Sequence, residues 1–280
     1  MLAALRWLGL LALLVAGCTP QAPSSLALAQ PRARRVDTGV AADDGARLVP
    51  PAAAGAARIE HVLRPLETPR GPGALHRFRI PLAQLRVSFI DLAYRKPLVD
   101  ALGEHDLVIN GGYWAYAGAT RKIQGLLVVD GKSFSPRAPT LSGGVLVIED
   151  AHARLHTSDW SGSTNQTALA IQCNPRLIAN GAPISKLEPR RLAARTALCV
   201  RDHGSTLDAY LTAEDTRLTL QELAAFLLGE GCEDALNLDG GPSTAAVFRE
   251  PDEPLKVGRG LELPYGLGFG YVAPEDHSFH

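Results

Sequence analysis

Gly231-Cys232-Glu233-Asp234-Ala235-Leu236-Asn237-Leu238-Asp239-Gly240-Gly241-Pro242-Ser243-Thr244 is the stretch from which the fold reads outward. A short apolar run of strand character ends at one carboxylate, Asp239, followed by two glycines and two hydroxyls. Glycines in such a turn let a ligand approach the backbone, and free N–H groups there can hold an anion. Asp-Gly between two apolar runs is equally a β-hairpin signal. Two readings stand open here: a ligand-binding turn, or a hairpin corner.

A helix immediately upstream sets the position of this stretch. Thr219 caps its start, and Glu222 three residues on completes a capping box. Leu220, Leu223, Ala224, Leu227 and Leu228 recur at i, i+3, i+4, i+7 and i+8, giving one apolar face. Gly229 and Gly231 supply the stop. The chain then enters Ala235–Leu238, so Asp239 emerges from the core. A lone acid there costs stability unless it is paired or serves a ligand.

Strand patterns dominate the first half. Arg77–Ile80 and Leu85–Leu92 read as strands joined at Pro81, Lys96–Leu102 as a short helix, and Leu107–Ile109 as a buried strand. Gly125–Val129 and Gly144–Ile148 follow, with turns at Asp130-Gly131 and Glu149-Asp150. The last strand, Gly266–Val272, alternates glycine with large apolar residues. Its three glycines share one face, which suits tight packing better than a ligand. The expected class is α+β: one globular domain with a mixed, largely antiparallel sheet packed with a few helices.

The N-terminus indicates the compartment. Arg6 precedes an apolar run, Leu8–Ala16, of signal-peptide length and too short for a membrane span. Val15-Ala16-Gly17-Cys18 resembles a bacterial lipobox, which implies cleavage after residue 17 and lipid on Cys18. The expected protein is therefore a lipoprotein anchored in the cell envelope, facing the periplasm from the outer membrane. Residues 19–57 contain 12 alanines, 5 prolines and no aromatic residue, so they read as a disordered tether. The globular part is expected over 58–274, with a short tail at 275–280.

A net charge of −1 argues against a nucleic-acid partner. Cys173, Cys199 and Cys232 permit one disulfide in an oxidising compartment. Cys199 lies on one predicted strand and Cys232 just before the Asp239 strand; they are the first candidates if those strands are neighbours, with Cys173 competing for either. No cysteine or histidine spacing suggests a zinc site; no cofactor is expected, and metal dependence stays open. His152 and His156 lie in a hairpin, where four residues span about 13 Å, too far to share one ion easily.

Five segments then add up. Ile109-Asn110-Gly111-Gly112-Tyr113-Trp114, Gln124-Gly125-Leu126, Pro175-Arg176-Leu177-Ile178, Ala194-Arg195-Thr196-Ala197 and Leu236-Asn237-Leu238-Asp239-Gly240-Gly241 occur in the order that resembles the phosphodiester glycosidases. The resemblance spans roughly residues 75–272. Pro242 stands where that family usually has a third glycine, Tyr113-Trp114 where it has a phenylalanine pair, and Cys199 where it has a glycine. These departures bear on the sugar more than on the reaction.

The resemblance implies hydrolysis of a sugar-1-phosphodiester, with a glycan or sugar phosphate as partner. Such a substrate carries a good leaving group, so one carboxylate and a phosphate-holding cation are the main needs. Asp239 is the candidate nucleophile, base or electrostatic stabiliser. Arg195 is the first candidate for the phosphate, because guanidinium binds phosphate oxygens bidentately; Arg176 is the second. Asn110 is expected to bind sugar hydroxyls. Gly111, Gly112, Gly240 and Gly241 give clearance and N–H donors, and Gln124, Ser243 and Thr244 complete the substrate-binding set. Glu214 and Asp215 offer a second carboxylate. Rival readings are a non-catalytic glycan-binding lipoprotein and a hydrolase of ordinary glycosidic bonds, which would need two well-placed carboxylates.

Overall fold

Short turns, not crossover helices, connect most of this chain. The computed structural model describes residues 57–93, 96–118, 120–162, 164–258, 260 and 263–271, all within one unit, Ala53–His280. The lipobox cysteine Cys18, most of the tether and the tail at 275–280 lie outside the described residues.

Three sheets organise the rest. The largest runs in the order β1 (Glu60–Thr68), β2 (Gly71–Pro81), β15 (Thr206–Thr212), β14 (Thr196–Arg201), β16 (Asp234–Asn237), β12 (Arg176–Ala179) and β13 (Ala182–Pro183). The second runs β10 (His152–His156), β9 (Gly144–Glu149), β11 (Thr167–Cys173), β7 (Leu127–Val129) and β8 (Lys132–Ser135). The third runs β18 (Leu255–Gly258), β17 (Ala245–Phe248), β4 (Leu107–Asn110), β19 (Tyr265–Tyr271) and β3 (Leu85–Asp91). A separate hairpin pairs β5 (Trp114–Ala117) with β6 (Thr120–Ile123).

The α+β expectation is thereby corrected: the fold is mostly β. Every strand pairing among the described residues is antiparallel. The same residues hold one α-helix, α1 (Leu220–Gly229), beside three single 3-10 turns. Antiparallel neighbours need only tight turns, and Asp130-Gly131, Asp150-Ala151 and Asn180-Gly181 supply them with two positive φ angles each. The helix expected over Lys96–Leu102 shrinks to a 3-10 turn at Leu98–Asp100. Pro97 is extended there, and the Leu98 N–H goes to the Gly260 carbonyl rather than into a helix.

The inner faces of the three sheets meet in one core. Phe78, Leu198, Ala209 and Leu236 come from the first sheet, Leu127, Leu146 and Ile171 from the second, and Leu107, Ile109 and Phe269 from the third. Period-2 alternation sends Val108 to a second cluster, with Leu98 and Val247. The outer face of the large sheet is covered by α1, whose Leu223, Ala224 and Leu227 pack on Leu75, Ala197 and Tyr210. Its capping box is present: Thr219 Oγ1 accepts from the Glu222 N–H, and the Glu222 carboxylate accepts from the Thr219 N–H. In β19, Gly268 faces the His105 ring so closely that a Cβ would come within 2.5 Å, so these glycines serve packing.

Cys199 and Cys232 form a disulfide with Cα atoms 5.6 Å apart, while Cys173 stays free and buried. The bond ties β14 to the loop between α1 and β16, the loop that delivers Asp239. It closes a sequence separation of 33 residues. Replacing both cysteines by serine is expected to lower unfolding stability by about 3–4 kcal/mol on the chain-entropy model. Urea denaturation of the oxidised protein and the double variant checks this; equal midpoints would contradict it.

Candidate active site

Strand ends from all three sheets converge at one end of the core. Asn110 closes β4, Cys173 closes β11 and Asn237 closes β16, while Thr196, Ala245 and Tyr265 open β14, β17 and β19. Asp239 lies just beyond Asn237. The hairpin-corner reading fails on topology, because β16 belongs to the first sheet and β17 to the third. Residues 238–244 cross between sheets, and Asp239 is held at that crossing.

Its carboxylate is half-buried. Oδ1 accepts from the Gly240 N–H at 2.9 Å, and the Ser243 hydroxyl also donates to it. Burial pushes the Asp239 pKa above the usual aspartate value; the Ser243 and Gly240 hydrogen bonds and the Arg191 charge act against that shift. Ser243 thus orients Asp239, and Thr244 takes part in a buried hydroxyl pair with Thr196.

The turn is not an anion nest. Asp239 N–H donates to Gly111 O, Gly240 N–H to Asp239 Oδ1, and Gly241 N–H to Ala194 O. The backbone N–H groups of Ser243 and Thr244 donate to Gly240 O and Gly241 O. Pro242 has no N–H to give. The expected free donors of Gly240 and Gly241 are therefore spent internally. Gly240 is needed for close approach, since a Cβ would sit 2.7 Å from Ala194 O, whereas Gly241, at φ +62°, faces open space.

Asn110 is where expectation and structure part most clearly. Its side chain is fully buried. Nδ2 donates to Asp239 O at 2.9 Å and to Gly111 O at 3.2 Å. Oδ1 accepts from Thr196 Oγ1 at 2.8 Å and from the Ala245 N–H at 3.2 Å. All four hydrogen-bonding positions of the amide are spent on protein, leaving none for a sugar hydroxyl. Asn110 is a positioning residue that fastens the Asp239 backbone to β4, β14 and β17.

The two glycines after it are structural as well. A Cβ on Gly111 would lie 2.2 Å from the Tyr265 ring, so this glycine admits that ring rather than a ligand. Gly112 N–H donates to the Tyr265 hydroxyl at 2.8 Å. The Gly112 donor is therefore not free for a ligand.

Arg195 is only 8% exposed. Nε donates to Leu218 O at 2.9 Å and Nη2 to Arg191 O at 2.6 Å. No carboxylate among the described residues forms an ion pair with it. Burial and the like charge of Arg191 pull its pKa below the usual guanidinium value, with Tyr113 and Glu188 opposing. The group nonetheless stays charged, because arginine does not lose its proton in proteins. A buried guanidinium held by two carbonyls and by no carboxylate is prepared for an anion.

Three further residues join the constellation. Arg191 acts electrostatically on both Asp239 and Arg195. Glu188 holds it, accepting from the backbone N–H groups of Arg190 and Arg191 at 2.8 and 2.6 Å. Tyr113 feels both charges: burial raises its pKa most, Cys173 and Asp239 add to that, and an Asn237 hydrogen bond and Arg195 oppose. Its hydroxyl donates to Asn174 O and accepts from Asn237 Nδ2 at 3.2 Å. Burial pushes the Cys173 thiol up to about 12, so it stays a neutral packing group.

Other expected residues lie apart. Gln124 is joined to Tyr113 only through backbone, its N–H donating to Tyr113 O. It lines a separate cavity of about 570 Å³ with Lys122 and Arg137. Arg176 packs its aliphatic stem over Gly144 and feels Asp234, not Asp239. Glu214 and Asp215 are exposed and line two adjoining cavities of about 260 and 290 Å³, the first of which also touches Gly241 and Thr244. No cluster of three or more metal-binding side chains occurs among the described residues.

Packed antiparallel sheets thus bring one oriented carboxylate, Asp239, and one buried cation, Arg195, to the strand ends that converge at one end of the core. The phosphodiester glycosidase family model matches residues 104–269, and the chain belongs to that family. Comparison with curated protein sequences gives no match. Among solved structures, the chain is similar to the zebrafish N-acetylglucosamine-1-phosphodiester α-N-acetylglucosaminidase catalytic domain, auto-inhibited by its pro-peptide. The identity is 16%, the TM-score 0.56, and the match covers 78% of this chain and 83% of that one. A hypothetical protein from Synechocystis is similar at 13% identity and TM-score 0.51, covering 78% and 65% respectively. These likenesses establish the shared fold.

Proposed function

We propose that this protein is a hydrolase of sugar-1-phosphodiesters, cleaving the bond between the anomeric carbon and the phosphate oxygen. The observation that carries the reading is the buried, carboxylate-free Arg195 guanidinium sharing Tyr113 and Arg191 with the oriented Asp239 carboxylate. Arg195, with Arg191, receives the phosphate; Asp239 faces the anomeric carbon and offsets the positive charge that develops there. Water supplies the new oxygen on the sugar, and the phosphate departs as a monoester bearing the bridging oxygen. The leaving group needs little protonation, which fits a site with one oriented carboxylate. In this reading the enzyme works from the lipid on Cys18, at the cell envelope, on glycan-linked phosphate. The name of the zebrafish relative makes an N-acetylglucosamine-1-phosphodiester the first compound to test.

The test is a turnover screen of the purified protein against sugar-1-phosphodiesters. Saturable binding without turnover would favour the non-catalytic glycan binder instead. Arg195→Lys keeps the charge but loses the fork and the bonds to Leu218 O and Arg191 O. It is expected to lower kcat/KM for phosphodiesters about 10- to 100-fold, the scale of a lost charge-assisted hydrogen bond. Any activity on a neutral aryl glycoside is expected to change far less. Equal losses on both substrates would contradict a phosphate role.

A further inference from the structure

Outside the Asp239 constellation, the cavity that Gln124 lines carries charge of one sign. Arg121, Lys122 and Arg137 line its volume of about 570 Å³ together with Ile123, Phe134 and Ser135, and the lining includes no carboxylate. The whole chain has a net charge of −1, so this gathering of cations is local. Lys132 adds another nearby, its Nζ 5.2 Å from the Phe134 ring centroid.

The walls are preformed. Buried Gln172 ties one to the other: Oε1 accepts from the Leu126 N–H at 3.1 Å and the Ala138 N–H at 2.9 Å, and Nε2 donates to Ala138 O and Leu141 O, both at 2.9 Å. The Ser135 hydroxyl adds a second link, donating to Ile123 O at 3.2 Å. Gly125, at φ +92°, lets the chain pass, since a Cβ there would lie 2.8 Å from Leu141 and 3.0 Å from Gln172 O. A cavity already ordered in the fold has little left to order when a ligand enters.

The cations are held differently. Arg121 sits over the Trp114 and Tyr116 rings, 4.9 and 5.0 Å from their centroids, and donates to the Tyr116 hydroxyl at 3.0 Å. Arg137 is exposed and donates from Nη1 to Ser158 O at 3.2 Å, which leaves most of its donors unspent. Asp159 feels the Arg137 charge, but its carboxylate is taken by the Thr157 hydroxyl. Neither Arg137 nor Lys122 forms an ion pair with a carboxylate among the described residues. Cations gathered without counter-charge repel one another and favour an anion. A tetrahedral phosphate suits this set, because the Arg137 fork takes two oxygens while the Lys122 ammonium takes a third.

We propose that this cavity binds a phosphate group, at a site distinct from Asp239 and Arg195. The phosphate would come from the headgroup of an anionic lipid or from a soluble phosphate. None of the lining residues belongs to the Asp239 constellation, so the site stands or falls without the hydrolase reading.

The test reads Lys122 itself. The full chain is treated with an amine-acylating reagent, and mass spectrometry of its peptides gives the reaction rate at Lys122 and at Lys186, an exposed lysine outside the cavity. Inorganic phosphate is expected to slow acylation of Lys122 saturably and to leave Lys186 unchanged, with sodium chloride at matched ionic strength protecting neither. Phosphate held by Arg195 would not shield Lys122, so the two sites are read apart. Arg137→Gln is expected to weaken the protection at least about 10-fold, the scale of a lost charge-assisted hydrogen bond, with an unchanged melting temperature. Short-chain phosphatidylglycerol, below its micelle concentration, is the second probe. Protection at a lower concentration than inorganic phosphate assigns the site to a lipid headgroup; protection at the same or a higher concentration assigns it to soluble phosphate. Equal protection at Lys186, protection by chloride alone, or protection that Arg137→Gln leaves intact would mean an adventitious ion only and overturn the proposal. So would unhindered acylation of Lys122 with both probes.

Discussion

Replacing Asp239 by Asn is expected to lower kcat by about 10²- to 10⁴-fold, the scale of losing a positioned acid–base or electrostatic group, while the fold persists. Asn preserves the shape and keeps an oxygen for the Gly240 N–H, so the crossing turn is retained. Burial raises the Asp239 pKa in the folded protein. Its ionisation therefore disfavours the folded state as pH rises through that raised value, and the neutral amide removes the penalty at pH 7. The variant is expected to melt at the wild-type temperature or slightly above it. The same shift places the acid limb of the wild-type kcat/KM profile above the pH at which an ordinary aspartate titrates. Steady-state kinetics against pH, with a melting curve for each variant, measures all three. Near-normal turnover in Asp239→Asn would remove this residue from the chemistry.

Asn110→Ala is expected to act on stability first. It leaves the Ala245 N–H and the Asp239 carbonyl without their partner and takes one of two partners from the Thr196 hydroxyl and the Gly111 carbonyl, around a fully buried side chain. A single unsatisfied buried group costs about 1–3 kcal/mol, so a loss of about 3 kcal/mol or more is expected. Asn110→Asp tests the same point differently. It keeps the acceptor but places a second oxygen against the Asp239 and Gly111 carbonyls, and should be no better tolerated. Chemical denaturation reads the loss. An unchanged midpoint, with only KM raised, would return Asn110 to the sugar-binding role that its Asn-Gly-Gly context first suggests.

That contrast shows where sequence reading stops. The capped helix, the strand leading to Asp239 and the Cys199–Cys232 pair are legible, because each is set by local periodicity, by a cap or by strand neighbours. The partners of Asn110 are not: Thr196 and Ala245 stand 86 and 135 residues away, and only the folded sheets bring them together. Gly111 reads as clearance for a ligand until Tyr265, far along the chain, is seen to fill the space. The Gly241 donor looks free because its acceptor, Ala194 O, lies on another strand's approach. Arg191 carries no signal beyond an Arg190-Arg191 pair in a loop, and it gains meaning only from its reach to Asp239 and Arg195. The edge strand β1 is hidden by Pro65, which an edge tolerates and a central strand does not. The same limit produces the α+β expectation, since apolar strands buried on both faces, such as β4, do not reveal how their neighbours run.

The most direct measurement is hydrolysis of an N-acetylglucosamine-1-phosphodiester in ¹⁸O-labelled water, with phosphate and sugar products separated and weighed by mass spectrometry. If Asp239 and Arg195 cooperate as argued, the label enters the anomeric hydroxyl, the phosphomonoester stays unlabelled, and Asp239→Asn abolishes both products. Label in the phosphate, which would mean P–O rather than C–O cleavage, or undiminished product from Asp239→Asn, would contradict the account.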